Sequence, residues 1–495
     1  MRYSKEYVPY HAEKKPVFDL PLKLESIEGV FEECVDFASR RITLAEGGEG
    51  TICWIDGMVK SERLNDYVMR PLITGPVPAS TTQVGKVLGG NVWNLDVTIQ
   101  MTVDDTVEAM LKGCCAIFLS DGVLTCSVQT EEKRGVEGPE NETENKGARD
   151  SFVESVRTCT SLVRRRLKSA KVKILEHMVG RTSDTAVDVI WVDGVTNPDL
   201  VHQVEERISQ MDVDALLSVA DIEEYIVDSK STVFPQVLFT ERPDRFCRGL
   251  MDGRVGILVD GIPMGCLLPC GIKQFMRAPQ DRSNHWLSAS LLTLLRYACM
   301  IVSVLLPGVY IAITAFHLQM IPTQLALSII ASKQDVPFST QFEVLIMLFA
   351  FEVLQEAGLR MPNTIGQSVS IIGALVVGQA AVDAKIVSPA VIIVVAAAGM
   401  AGFTIPNLDF ANGLRIWRVI AAIGASFVGL FGLTAVIIGM VFQLSKMKSF
   451  GVSYLTPFSP GSWQQKGSEW VMRGPMPSIK MRDLTLRPEG KRRQK

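Results

Sequence analysis

The two halves of the chain differ in how apolar and polar residues alternate. Up to His285, short apolar runs alternate with charged segments, and from 287 to 445 long apolar runs dominate. The short runs are typical of strands and amphipathic helices. The long runs reach the length needed to cross a hydrocarbon layer of about 30 Å. The pattern therefore predicts a cytoplasmic α/β domain followed by an α-helical, multi-span membrane domain.

A motif in the first half occurs twice. The string "WIDG" at 54–57 returns as "WVDG" at 191–194, and a second Asp-Gly pair follows 65 residues later in one copy and 67 in the other. The near-equal separation predicts two similar α/β subdomains, at 22–130 and 150–286. Asp-Gly is a strong turn sequence. We interpret these aspartates as turn residues, with a ligand or acid role as the alternative.

Each copy is predicted to contain a strand that leads into a helix, and later a hairpin. Ser61 and Asn197 are the predicted N-caps of the two helices, because both have side chains that accept a hydrogen bond from a helix N-terminus. Asp121 and Asp260 each precede a glycine between two apolar runs, which predicts a hairpin turn at each site.

Two segments are predicted to lie outside the folded cores. Residues 1–21 form an N-terminal tail that lacks the apolar stretch of a cleavable signal peptide, so we expect the first half to stay in the cytoplasm. Residues 131–149, "EEKRGVEGPENETENKGAR", are rich in charge, Gly and Asn and poor in apolar residues. This composition predicts a linker between the subdomains.

A basic run follows the linker at the end of a predicted helix. Arg164, Arg165 and Arg166 close the string "SFVESVRTCTSLVRRR". Cations are favoured near a helix C-terminus, so a solvated helix end accounts for the run. The alternative is a docking surface, in which the three arginines bind an acidic partner subunit or anionic lipid heads.

Composition and motifs argue against several functional classes. The net charge of −3 provides no positive field for binding nucleic acid. The ten cysteines have no zinc-site spacing, and we expect mostly buried thiols. Phosphate-binding loops, dinucleotide-binding glycine motifs, serine nucleophile motifs and zinc-protease motifs are absent from the sequence. We therefore predict no enzyme, with no catalytic residue, metal or cofactor.

The membrane domain is predicted at 287–445 with four to five helices. Four apolar segments are the candidate helices: 287–316, 369–382, 389–406 and 419–444. Small residues four positions apart, such as Ala398 with Gly402, allow close helix packing. Basic residues flank the domain, including a basic tail at 446–495, so both ends are expected in the cytoplasm. This orientation requires an even number of crossings.

A further helical segment, 342–362, mixes apolar residues with charges. On a helix, Glu352, Glu356 and Arg360 form one polar stripe, and Glu343 lies roughly opposite. A carboxylate facing lipid costs about 2.5–3.5 kcal/mol, so the stripe should face water or protein. One interpretation is an interfacial or re-entrant helix in which Glu356 pairs with Arg360. The other is a pore-lining or gating helix, in which symmetric copies place carboxylates around a cation path.

Several long strings resemble the A subunit of GerA-type spore germinant receptors. They cover residues 130 to 460 in part and include "FTERPDRFCRGLMDGRVGILVDGIP", "PFSTQFEVLIMLFAFEVLQEAGLRMP", "GQSVSIIGALVVGQAAVDAKIVSP" and "SFGVSYLTPFSP". The strings are long, ordered and unusual, which makes the resemblance specific.

The resemblance implies a multi-pass subunit in the inner membrane of a bacterial spore. It further implies a transporter-like B subunit that binds the nutrient and a lipoprotein C subunit as partners. Self-association into a ring would let monovalent cations leave the spore and trigger germination. One alternative is a paralogous sporulation channel that amplifies ion release. Another is a small-solute transporter, for which inverted repeats would be expected.

Overall fold

The computed structural model contains two α/β units and a helical bundle. It describes residues 18–129 with short gaps at 46, 76–79, 81, 89–91 and 94–95, residues 138, 139 and 142, and residues 146–360, 378–459 and 471–493.

Each α/β unit contains one five-stranded antiparallel sheet. The first sheet comprises β1 Phe37–Thr43, β2 Glu49–Ile55, β3 Val97–Gln100, β4 Cys114–Leu119 and β5 Gly122–Ser127. The second comprises β6 Val172–Val179, β7 Thr185–Val192, β8 Leu238–Thr240, β9 Val255–Val259 and β10 Gly265–Leu268. The neighbour orders are β1-β2-β4-β5-β3 and β6-β7-β9-β10-β8. Subtracting five from each strand number of the second sheet gives the order of the first, so the two sheets have the same topology. This confirms the predicted duplication.

Helices pack on these sheets through apolar faces. They are α1 Leu24–Val30, α2 at 61–74 with a central π-helical turn, α3 Gln83–Lys86, α4 Val103–Met110, α5 Val156–Arg166, α6 Pro198–Ser209, α7 Val219–Ile226, α8 Pro243–Met251 and α9 Ile272–Phe275. The predicted cap of α6 is confirmed, because the Asn197 side chain accepts a hydrogen bond from the Asp199 amide at 3.1 Å. The predicted Ser61 cap is wrong, since Lys60 precedes the helix and Ser61 begins it.

Glycines occupy matching points of the two subdomains. Gly57 after β2 has a φ of +76° and Gly194 after β7 a φ of +68°, while Gly113 before β4 and Gly253 before β9 have φ values of +90° and +97°. Other residues are strained in this left-handed region. Gly57 and Gly194 belong to the repeated Asp-Gly motif, so this motif specifies a backbone turn in each copy, as predicted.

The two subdomains are joined by main-chain hydrogen bonds. The Val35 amide donates to the Ile174 carbonyl at 3.0 Å, and the Ile174 amide donates to the Glu33 carbonyl at 3.0 Å. Ile174 lies in β6, so the segment before β1 runs beside the first strand of the second sheet. We call this contact between residues 33–35 and β6 the joint between the two subdomains.

The second half of the chain forms the helical bundle. Its helices are α10 Trp286–Ile311 with a π-helical extension to Phe316, α11 Thr323–Lys333, α12 Thr340–Arg360, α13 Pro389–Phe403, α14 Leu408–Val428 and α15 Leu430–Lys446. Among the described residues, α10 with its extension is the one helix that is long and apolar enough to cross a membrane, and α13 and α15 are shorter apolar helices. The predicted segment 369–382 lies outside the described residues up to 377.

The apolar segment 419–444 is not the single helix that its length suggests. The chain turns at Gly429, which has a φ of +64°, and α15 folds back on α14. A Cβ atom on Gly432 would lie 2.1 Å from the carbonyl oxygen of Gly424. The small residues let the two helix backbones touch, and glycine permits the left-handed turn between them.

The start of α14 and the end of α15 both pack against the second subdomain. Phe410 near the start of α14 and Leu444 near the end of α15 belong to the same apolar core as Phe234 and Phe275. The rings of Phe275 and Phe410 stack with centroids 5.8 Å apart. The chain therefore leaves this subdomain at α10 and returns to it after α15.

The chain beyond the bundle also lies on the second subdomain. It forms a short hairpin of β11 Lys448–Ser449 and β12 Val452–Ser453, after which the Tyr454 carbonyl accepts a hydrogen bond from the Ile272 amide at 3.0 Å. Further along, Asp483 forms a buried ion pair with Lys273, with 3.0 Å between Oδ2 and Nζ. The basic tail thus folds onto the α/β domain over its described residues.

A buried carboxyl group in β7 makes the α/β domain sensitive to pH. The Asp188 side chain is fully buried, and its Oδ2 accepts a hydrogen bond from Arg157 Nη1 at 3.2 Å. Its Oδ1 is buried with no hydrogen-bond partner among the described residues. Burial raises the pKa of Asp188 to about 7, although Arg157 lowers it.

We expect the α/β domain to lose about 2–3 kcal/mol of stability between pH 5 and pH 8 through Asp188. The raised pKa means that folding favours the protonated carboxyl. Its contribution is complete below the unfolded pKa of about 4 and is lost as the pH rises through about 7. Thermal unfolding of the full chain at several pH values measures this slope. Asp188→Asn should flatten it, whereas Asp212→Asn, at an exposed site, should not; an unchanged slope in Asp188→Asn would contradict this assignment.

Candidate functional site in the helical bundle

A buried carboxylate lies at the end of the bundle that is remote from the α/β domain. Glu343 near the start of α12 is fully buried, and its Oε1 lies 2.9 Å from Lys333 Nζ of α11. Its Oε2 accepts a hydrogen bond from the Ser388 amide at 2.9 Å. Ser388 precedes α13, so this carboxylate neutralises a lysine and caps a helix N-terminus.

A second carboxylate forms an ion pair halfway along the bundle. Glu352 Oε1 lies 3.2 Å from Arg418 Nη2 of α14. Glu352 follows Glu343 by nine residues, or about 14 Å of helix. Arg418 follows Phe410, which packs on the α/β domain, by eight residues, or about 12 Å. The pair is therefore far from both ends of the bundle.

Arg418 is a candidate site residue that the sequence pattern did not single out. The predicted helix at 419–444 begins after Arg418, whereas α14 begins at Leu408 and carries Arg418 inside the bundle. The arginine is 1% exposed. Its Nε and Nη1 are buried with no hydrogen-bond partner among the described residues. Its helical spacing from buried small residues of α14, Ala421 and Ala425, is the signal that could have found it.

Glu356 ends a stripe of exposed side chains on α12. The exposed positions are Phe342, Ile346, Phe349, Val353 and Glu356. Their alternating spacing of four and three residues is the heptad pattern of helices that associate side by side. Arg360 continues this spacing, but its side chain lies outside the described part of the structure. Glu352 thus pairs with Arg418 of α14, and Glu356 is exposed on the same face as the apolar residues of the stripe.

The predicted docking arginines have different environments. Arg164 is fully buried and forms two hydrogen bonds with Asp36 of the first subdomain, Nε to Oδ2 at 2.8 Å and Nη2 to Oδ1 at 2.9 Å. Arg165 is half-buried and lines a surface pocket at the joint, and Arg166 pairs with Asp150. In this structure Arg164 joins the two subdomains. Docking of a partner by the basic run stays a prediction.

The chain belongs to the GerA spore germination protein family. The family model described as "Bacillus/Clostridium GerA spore germination protein" matches residues 25–485, so the predicted family is confirmed. The chain is 33% identical over 449 residues to spore germination protein B1 of Bacillus subtilis (strain 168), covering 90% of this chain and 92% of that one.

Two further proteins are similar to the chain. The membrane protein YfkQ of Bacillus subtilis (strain 168) is 34% identical over 445 residues, which cover 89% of this chain and 86% of that one. The crystal structure of the N-terminal domain of the A subunit of the Bacillus megaterium spore germinant receptor GerK3 matches with 23% identity and a TM-score of 0.39. That match covers 50% of this chain and 92% of the crystallised one.

Proposed function

We propose that the chain is the membrane subunit of a nutrient germinant receptor and that its copies assemble around α12 into a gated cation path. Germination would begin when this path releases monovalent cations from the spore. The observation that carries the proposal is the exposed heptad stripe of α12, which leads from apolar residues to Glu356. The names of the relatives support a role in spore germination.

The stripe favours self-association over exposure to lipid. Phe349 is 69% exposed and Val353 51% exposed in the single chain, and Glu356 lies at the next position of the same face. Lipid could cover the apolar residues, but a carboxylate facing lipid costs about 2.5–3.5 kcal/mol. Copies of α12 around an axis would cover the apolar part and leave Glu356 beside water. A ring of such carboxylates favours cations over anions.

The charges inside the bundle support a gating role for α12. Glu343 and Glu352 tie this helix to α11, α13 and α14, with Lys333 and Arg418 as their cationic partners. Ionisable residues this deep in an apolar bundle are costly and are typical of ion paths. Breaking the Glu352–Arg418 ion pair would change the position of α12 relative to α14. The width of the central path would change with it.

The same geometry supports a membrane arrangement with both termini of the bundle on one side. The first helix of the bundle begins at the α/β domain and the last helix ends on it, so a bundle that spans the spore inner membrane would cross it an even number of times. The cytoplasm is the expected side for the α/β domain and the tail. Partners would be a transporter-like B subunit and a lipoprotein C subunit, for which Arg165 and Arg166 are candidate docking residues.

We expect Glu356→Gln to lower the ratio of cation to anion permeability several-fold in liposomes that contain the full chain. The substitution removes the carboxylate from the stripe and keeps the helix, because Gln and Glu have similar helix propensities. Reversal potentials in a salt gradient measure the ratio. Spores carrying the variant should also release potassium more slowly after nutrient is added.

Two control variants separate charge in the path from packing in the bundle. Glu224→Gln removes an exposed acid from the α/β domain and should leave selectivity unchanged. Glu352→Gln with Arg418→Gln removes both charges of the internal pair, and of the contacts of Glu352 it leaves the half-buried Arg415, 3.9 Å from Oε2, without its partner. We expect it to change gating more than selectivity. If Glu356→Gln conducts with the parent selectivity, α12 does not line the ion path.

A further inference from the structure

Buried oxygen atoms lie close together at the end of the bundle that is remote from the α/β domain. Glu343 and Ser388 are both 0% exposed. Glu343 Oε1, Ser388 Oγ and the hydroxyl of Tyr310 in α10 are buried with no hydrogen-bond partner in the part of the chain that the structure describes. A buried polar atom without a hydrogen bond is costly, so each of these oxygens calls for a further partner.

Two contacts join these oxygens into one cluster. The Ser388 amide donates to Glu343 Oε2 at 2.9 Å, which places the start of α13 directly against this carboxylate. The Tyr310 hydroxyl interacts electrostatically with the Ser388 side chain and with Glu343, without a hydrogen bond to either. The three unsatisfied oxygens therefore come together from α10, from α12 and from the residue that precedes α13.

Lys333 supplies the positive charge of this cluster. It ends α11, and its Nζ lies 2.9 Å from Glu343 Oε1 in an arrangement that is not aligned as a hydrogen bond. The same Nζ donates to the hydroxyl of Thr340, which begins α12. The ammonium group is thus held among carboxylate and hydroxyl oxygens, the ligands that hard cations prefer. The Lys333 side chain is 21% exposed, so the cluster reaches the boundary with solvent.

We propose that these oxygens form a binding site for a monovalent metal cation, and that Lys333 is a tethered cation that competes for it. The ligands are Glu343 Oε1 and the hydroxyls of Thr340, Ser388 and Tyr310. A single carboxylate balances one positive charge, whereas a divalent ion would leave a net charge buried, which is costly. The site lies within one chain, so cation binding does not rest on the proposed path between copies of α12.

Lys333→Gln in the full chain, purified in neutral detergent, removes the tethered cation. We expect potassium or sodium chloride to raise its midpoint of thermal unfolding by about 2–4 °C relative to choline chloride at equal ionic strength, because a free cation then replaces the ammonium beside Glu343. The parent should show no such difference. The matched control is Lys385→Gln, which removes a lysine from an exposed pair with Asp335 and should not distinguish the salts.

Substitution of the other ligands separates a bound cation from a general effect of salt. In the Lys333→Gln background, Ser388→Ala and Tyr310→Phe should each weaken the potassium dependence several-fold, since each removes one ligand. Lys333→Gln with Glu343→Gln should abolish it, because the carboxylate that attracts the cation is then gone. An equal response of Lys333→Gln to potassium and choline would overturn the proposal, and Lys333 would only neutralise Glu343.

A second measurement, on the parent, does not depend on whether a variant folds. An acylating reagent modifies the neutral amine of lysine, and mass spectrometry of peptides reports the rate at each position. If the ammonium and a free cation compete for the same oxygens, potassium chloride should speed modification of Lys333 several-fold relative to Lys385, and choline chloride should not. Equal rates at Lys333 in the two salts would contradict the competition. Both measurements are made in detergent, so neither depends on ion conduction.

Discussion

Arg164→Met is expected to destabilise the α/β domain by about 3–5 kcal/mol, because it leaves Asp36 buried and charged without its partner. The two side chains are 0% and 1% exposed and share two hydrogen bonds across the joint between the subdomains. Arg164 Nη1 also donates to the Val172 carbonyl at 2.8 Å, at the start of β6. Amide hydrogen exchange in β1 and β6 of the full chain measures the loss on each side of the joint.

Two variants test whether this effect belongs to the buried ion pair. Arg181→Met removes an arginine from a pair in which both side chains are 67% exposed, and it should cost less than about 1 kcal/mol. Arg164→Met with Asp36→Leu removes both charges and should recover much of the stability. Equal losses for Arg164→Met and Arg181→Met would mean that the Asp36 pair does not hold the joint.

Gly432→Ala is expected to destabilise the bundle by about 3 kcal/mol, at the upper end of the range for overpacking. The added Cβ would lie 2.1 Å from the carbonyl oxygen of Gly424 and 2.9 Å from its carbonyl carbon. Backbone atoms cannot rotate away as a side chain would, so α14 and α15 must separate. Thermal unfolding of the full chain in detergent measures the loss.

The same helix offers a control for the intrinsic effect of alanine. A Cβ on Gly439 meets no atom within 4 Å. Gly439→Ala should therefore be neutral or raise stability by up to about 1 kcal/mol, because alanine favours the helix. If Gly432→Ala is as stable as Gly439→Ala, the contact between the two helix backbones does not contribute to the fold.

The duplicated α/β fold could be predicted because its signals are local. An Asp-Gly turn specifies its own backbone conformation, and two such turns at similar separation mark the same unit twice. The shared strand order confirms this prediction. The prediction of an N-cap at Ser61 was wrong because a single residue of this type can be either the cap or the first residue of the helix. Only the neighbouring chain decides between the two.

The candidate site could be predicted only in part. The acidic residues of 342–362 were identified because charges are rare in apolar segments, and helical spacing grouped Glu352 with Glu356. Helical spacing could not assign their partners, which depend on how the helices pack. The predicted helix at 419–444 does not include Arg418, because the apolar run begins after it. A pattern of apolar residues also contains no sign of the left-handed turn at Gly429.

The sequence by itself determined the two halves of the protein, the repeated subdomains and the GerA family, because periodicity, turn residues and long shared strings are properties of neighbouring positions. The tertiary structure decided which charges meet. It pairs Arg164 with Asp36 and Arg418 with Glu352, leaves Glu356 on the outer face, and brings the tail back to the α/β domain. Burying a charge is costly unless an opposite charge arrives from elsewhere in the chain, and that partner is set by packing rather than by spacing.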